Sequence, residues 1–274
     1  MKKISTRLML LGALLVVSSI MFAACAAPTA EPQEEPTEEA EHAEDEEHDH
    51  TEDHVLAEGD VARGGKLYTK WYAALGLDKP TEDQPLWATQ ATNERTGADT
   101  WRCKECHGWD YIGADGWYNT DSSHYTGFAG VFEAQDMSAE VIVAWLDGTT
   151  NADHDFSVMG EDAMIDLATF LQEGMLDNRD FIDYETGIAI TADVDHGKEL
   201  YTSTCNVCHG EDGRAIEGLI IGAVLHDEPW VELNHLVRTG MPGTSMPASH
   251  DLGWSIQDVL DVLTYEATLP TEAP

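Results

Sequence analysis

The chain is short of basic residues: 14 Lys and Arg stand against 52 Asp and Glu in 274 residues, a formal charge of −38. Nucleic-acid recognition rests on clustered cations at the phosphate backbone, so this scarcity excludes a nucleic-acid partner. Long apolar runs are lacking too. The one uncharged apolar stretch of any length is 8–24, with 17 residues, at the short limit of the roughly 17–25 that span a bilayer. A polytopic membrane protein is thereby excluded. Five cysteines are too few for a disulfide-dense scaffold, so their spacing carries more information than their number. What remains is a length that allows one large or two small domains, with 42% hydrophobic residues to build their cores.

Lys2, Lys3 and Arg7 precede the apolar run, the basic-then-apolar layout of an export signal. The tetrapeptide Phe22-Ala23-Ala24-Cys25 resembles the lipobox of bacterial lipoproteins, although that family prefers Leu where Phe22 stands. The resemblance implies that 1–24 is a signal peptide. It further implies that Cys25 carries lipid and anchors an exported chain to the bacterial cell membrane, facing the periplasm or the cell exterior. An uncleaved anchor with an incidental Cys25 is the other reading. Beyond Cys25 the composition shifts. Residues 31–54 hold 13 acidic residues, no Lys or Arg, and His42, His48, His50 and His54. So charged a segment has almost nothing apolar to bury against its ordering entropy, so 25–57 reads as a disordered acidic tether. Its histidines suit transition metals, or the segment is a plain solvated spacer. Beyond residue 54 there remain 39 acidic and 11 basic residues, a net of −28.

The other four cysteines form Cys103-Lys104-Glu105-Cys106-His107 and Cys205-Asn206-Val207-Cys208-His209. Cys-x-x-Cys-His is the signal for covalent c-type haem attachment. Two thiols three residues apart sit on one helical turn and reach the two porphyrin vinyl groups, while the adjacent imidazole meets the iron. Zinc fits less well, because the pairs lie about 100 residues apart and each is followed at once by His. A redox dithiol would fit one pair but not the His that follows both, and disulfides, plausible in an exported chain, are outweighed by the specificity of the motif. With Cys25 on lipid, no cysteine is left over.

The chain therefore resembles c-type cytochromes, over most of residues 58–270. Gly65-Lys66-Leu67-Tyr68 matches Gly197-Lys198-Glu199-Leu200-Tyr201, both reading as amphipathic helices upstream of a motif. The resemblance implies that each crosses a C-terminal helix, for which 161–173 and 255–267 are the candidates, the latter with Ser255 as N-cap. Gly197 lies eight residues before Cys205, but Gly65 lies 38 before Cys103. The first half thus carries an insertion of about 30 residues, read as an ordered loop. The expected fold is all-α. Two tandem cytochrome c-like domains, at 58–177 and 193–270, each surround one covalent haem c and are joined by a linker at 178–192.

The second axial ligand decides potential and reactivity. Arg238-Thr239-Gly240-Met241-Pro242-Gly243-Thr244-Ser245-Met246-Pro247 resembles the Met-Pro ligand loop of the family. It points to Met246 opposite His209, with Met241 as the alternative. The first half has no Met-Pro pair. Aligning Gly148 with Gly240 places His154 where Met246 falls, so His107 and His154 are the expected pair. Met159 is the sulfur alternative there, and His124 is weaker. His235 is read as a propionate partner or a helix cap. Trp101, Trp109, Trp117 and Tyr111 are expected to wall the first haem pocket.

The resulting expectation is an electron carrier rather than an enzyme. Its first haem has the lower potential, and its redox partners dock through a basic patch. The rival is a dihaem oxidoreductase, peroxidase-like or oxidising sulfur or nitrogen compounds, with a substrate-accessible iron. A third reading makes the chain a metal-binding or sensory lipoprotein acting through its tether.

Overall fold

A computed structural model describes residues 59–274. The expected signal peptide at 1–24, the lipidated Cys25 and the tether histidines lie outside the described residues. Among the described residues the helices are α1 (Val61–Ala74), α2 (Cys103–His107), α3 (Ala139–Leu146), α4 (Glu161–Thr169), α5 (Val194–Leu200), α6 (Asn206–His209), α7 (Ile221–Asp227), α8 (Trp230–Thr239) and α9 (Ile256–Glu266). A small antiparallel ribbon, β1 (Ile182–Asp183) with β2 (Ile188–Ala189), occupies the segment expected as a linker. None of these helices is long and apolar enough to cross a membrane.

The helix boundaries follow from their caps. Asp60 accepts from the Arg63 N–H to start α1, and Asp193 accepts from the Asp195 and His196 N–H groups to start α5. Ser255 and Asp258 form a reciprocal capping box on α9, a device that satisfies orphan N–H donors at a helix start. α4 covers the first part of the expected 161–173 helix and continues through a π-helical turn at Phe170–Gly174.

The same crossing is built twice. α1 packs against α4, and α5 against α9. In the first pair, the Asp60 N–H donates to the Asp166 carboxylate at 2.7 Å, and Arg63 pairs with the same group. In the second, the Asp193 N–H donates to Asp261 at 2.8 Å, and His196 Nδ1 meets it at 2.8 Å. The Tyr68 hydroxyl donates to the Gly108 carbonyl, and the Tyr201 hydroxyl to the Gly210 carbonyl, each at 2.7 Å. These equivalences correct the repeat register by one residue. A Cβ on Gly64 would stand 2.1 Å from the Asp166 carbonyl oxygen, and one on Gly197 only 1.9 Å from that of Asp261. Gly64, not Gly65, is therefore the counterpart of Gly197. Gly65 instead faces α8, where a Cβ would meet the Thr239 side chain at 2.2 Å.

Two apolar cores result. One gathers Leu67, Tyr68, Trp71, Phe156, Leu167 and Phe170 around α1 and α4. The other gathers Tyr201, Trp230, Val231, Leu260 and Leu263 around α8 and α9. Burying each such side chain contributes about 1.5–3 kcal/mol. α8 also packs on α1, so the cores are joined by a helix–helix contact.

Candidate haem sites

At the first motif, α2 is a single turn that ends at Gly108, whose φ of 79° lets the chain turn away without a Cβ clash. Cys103, Cys106, His107 and His154 all line one cavity of about 410 Å³. The His107 and His154 ring centroids are 6.4 Å apart. Two imidazoles bound end-on to one ion, at about 2 Å per metal–nitrogen bond, have centroids roughly 6–6.5 Å apart. Each ring is oriented through its other nitrogen. His107 Nδ1 lies 2.8 Å from the Ala129 carbonyl, and His154 Nδ1 lies 2.9 Å from that of Trp145. A carbonyl only accepts, so each Nδ1 carries the proton and each Nε2 keeps its lone pair for a metal. Desolvation lowers His107 to about 4, which leaves the ring neutral and able to ligate.

The walls of this cavity are apolar, with Tyr68, Phe128, Trp145 and Phe156 among them. The expected aromatic wall is wrong in its members. Trp109 and Trp117 pack with the second core. The Trp101 indole packs edge-on against Phe156, and Tyr111 hydrogen-bonds to His235. Sequence proximity to the motif misleads here: beyond the turn at Gly108, Trp109 and Trp117 pack into the second core, and Tyr111 packs into the first core without lining the cavity. Phe128, Trp145 and Phe156, which do wall it, sit 21 or more residues beyond His107.

Burial raises the Cys103 and Cys106 thiols to about 12, and that of Cys205 likewise. Behind α2, Glu105 is buried. Desolvation pushes its carboxyl up, but His124, Lys104 and Arg102 outweigh this and hold it at about 2. His124 is thereby engaged: it faces Glu105 and stacks on Tyr118 at 4.5 Å. It does not line the cavity. Met159 is packed in the first core and is also absent from the cavity wall.

His235 serves neither reading given to it. It is fully buried between α8 and α1, with Thr69 Oγ1 and the Tyr111 hydroxyl each at 2.8 Å and the Gly65 carbonyl at 3.1 Å. Its partners lie 124 to 170 residues away, a separation that leaves no local sequence signal.

At the second motif Cys205 is half-buried and Cys208 exposed. His209 is partly buried and burial lowers its pKa. Its Nδ1 is buried without a hydrogen-bond partner. Met246 is half-buried and Met241 is 41% exposed. The donor set of two thiols and one imidazole on a single turn, followed by Gly210 with φ 77°, repeats that of the first motif.

No curated protein and no solved structure matches this chain. Residues 192–265 match the family described as cytochrome C oxidase, cbb3-type, subunit III. That segment is similar to a c-type cytochrome domain. The similarity supports a haem protein of the c type, with covalently bound haem c and a role in electron transfer.

Proposed function

We propose that this chain is an exported, lipid-anchored dihaem cytochrome c that passes electrons between respiratory partners. Cys103 and Cys106 would hold the first haem, with His107 and His154 as its iron ligands. Cys205 and Cys208 would hold the second, with His209 and Met246 as its ligands. Each haem, when bound, supplies a one-electron iron couple. The chain supplies ligands, fixed geometry and a dry pocket, the levers by which a protein tunes such a couple. Lipid on Cys25 anchors the chain at the membrane, and the acidic tether holds the folded part away from it.

The observation that carries this reading is the facing pair at the first motif. Two imidazoles 6.4 Å apart, each oriented by a backbone carbonyl, close an apolar cavity that also receives both thiols. For the second site, the support is the same pentapeptide inside a segment similar to a c-type cytochrome domain.

Two measurements test it. A pyridine haemochrome titration is expected to give two haems per chain, and a lower count overturns the reading. Low-temperature EPR of the oxidised protein is expected to show two low-spin signals, one bis-His and one His/Met. His154→Ala opens the first iron and converts its signal to high spin at unchanged haem count. An unaltered spectrum in this variant removes His154 as ligand. A high-spin signal in the unmodified protein would favour the dihaem oxidoreductase instead.

A further inference from the structure

We propose that the hydrogen bond between Tyr111 and His235 is the electronic link between the two haem sites. This rests on the dihaem reading and adds to it the route that an electron takes. A bonded path runs from His107 to α8. His107 Nδ1–H donates to the Ala129 carbonyl at 2.8 Å. Two residues on, the Val131 N–H donates to the Tyr111 carbonyl at 2.7 Å. The Tyr111 hydroxyl then meets His235 Nδ1 at 2.8 Å. His235 lies on α8, where its carbonyl accepts from the Thr239 hydroxyl at 3.0 Å. One residue later begins the 240–247 loop that carries Met246.

The tautomer follows from the partners. His235 Nε2 faces the Gly65 carbonyl, which only accepts, so Nε2 carries the proton and Nδ1 accepts from the Tyr111 hydroxyl. Desolvation lowers His235 to about 3 and raises Tyr111 to about 12, so both stay neutral. No proton has to move along this path, whose two ends would each meet a one-electron couple once haem is held by the two motifs.

Packing alone does not account for this pair. A phenol and an imidazole buried at a helix contact are costly unless paired, and Leu or Phe would fill the space without that cost. Tyr111 is also the one non-glycine at positive φ among the described residues, at 65°. Such backbone strain gathers at functional positions, where the surroundings over-determine it. The two side chains sit among the rings of Tyr68, Trp109 and Phe170, with centroids 5.3 to 5.7 Å from that of His235. Water is excluded, and tunnelling through bonds and hydrogen bonds decays less steeply than through gaps.

The test is Tyr111→Phe in the full holoprotein, which removes the hydroxyl and keeps the ring. The haem count is taken first, since fewer than two haems in the unmodified protein defeats the dihaem reading itself. One haem is then reduced by a short laser or radiolytic pulse, and equilibration between the two is followed optically. The inter-haem distance is measured by pulsed EPR. The expected result is a several-fold slower equilibration with the distance and both EPR signals unchanged. An unchanged rate overturns the proposal, as does a distance change large enough to explain a slower one. His235→Asn, which shortens the side chain and breaks the same hydrogen bond, serves as the second variant and is expected to slow the exchange in the same way.

Discussion

Glu266 is a single residue whose position makes the fold sensitive to pH. It lies on α9 and is buried, and burial raises its carboxyl to about 8. In the unfolded chain a Glu titrates near 4.3. Between those values the folded state holds a proton that the unfolded state has lost, so stability falls as pH rises through this window. Each pKa unit corresponds to about 1.4 kcal/mol, so the loss from pH 5 to pH 8 is on the order of a few kcal/mol. Glu266→Gln is expected to remove that slope and to be the more stable form at pH 8 in urea unfolding. Equal pH slopes in the two proteins would show that the carboxyl is solvated in the folded state. Nothing in the sequence marks this residue, because Glu266 closes an amphipathic helix in a position that periodicity alone leaves ambiguous. The two Cys-x-x-Cys-His pentapeptides stand out in the sequence because thioether attachment of haem demands that spacing. That His154 lines the same cavity as His107 could be anticipated only through its offset from a glycine. Tyr111 and His235 are not legible at all, since they meet across 124 residues of chain.

The helix crossings show where element-level reading succeeds and where it slips by a step. Apolar spacing places α4 and α9, and a Ser–Asp box fixes the start of the latter. The repeat between α1 and α5 is visible too, but one inserted residue lets either Gly64 or Gly65 align with Gly197. Only the partner helix decides, because the glycine is required where the backbones touch. Gly197→Ala tests the crossing against helix propensity. In a helix interior the substitution by itself stabilises by about 1 kcal/mol. Here the new methyl would stand 1.9 Å from the Asp261 carbonyl oxygen. That oxygen belongs to backbone and cannot swing aside, so overpacking costing about 1–3 kcal/mol or more is expected to win. Urea unfolding of the holoprotein should therefore show Gly197→Ala less stable than the parent, and Gly64→Ala likewise. A variant as stable as the parent would mean that α5 and α9 separate more easily than their contact suggests.

Taken as a whole molecule, the protein is fixed at its centre and charged at its surface. The α1–α8 contact, with Gly65 against Thr239 and His235 against Tyr111, ties the two cores together. The excess of carboxylates is large: the net of −28 beyond residue 54 gives a field of one sign. Exposed charges act over a Debye length of about 10 Å at 0.1 M salt and only about 3 Å at 1 M. Any partner that presented a basic patch would be drawn in by this field at low salt, and the encounter rate rather than the affinity of the docked complex would take most of the effect. The bimolecular rate of electron exchange with a basic redox protein is therefore expected to fall steeply as salt rises. With a neutral small-molecule reductant it should stay nearly flat, because no charge pair is there to screen. If the dihaem reading and the proposed route hold, equilibration between the two haems within one chain should be flat as well, since that route is covalent, hydrogen-bonded and buried. Stopped-flow measurements at 0.05 and 0.5 M salt separate these cases. A flat response with the basic protein would mean that docking is governed by something other than the acidic surface.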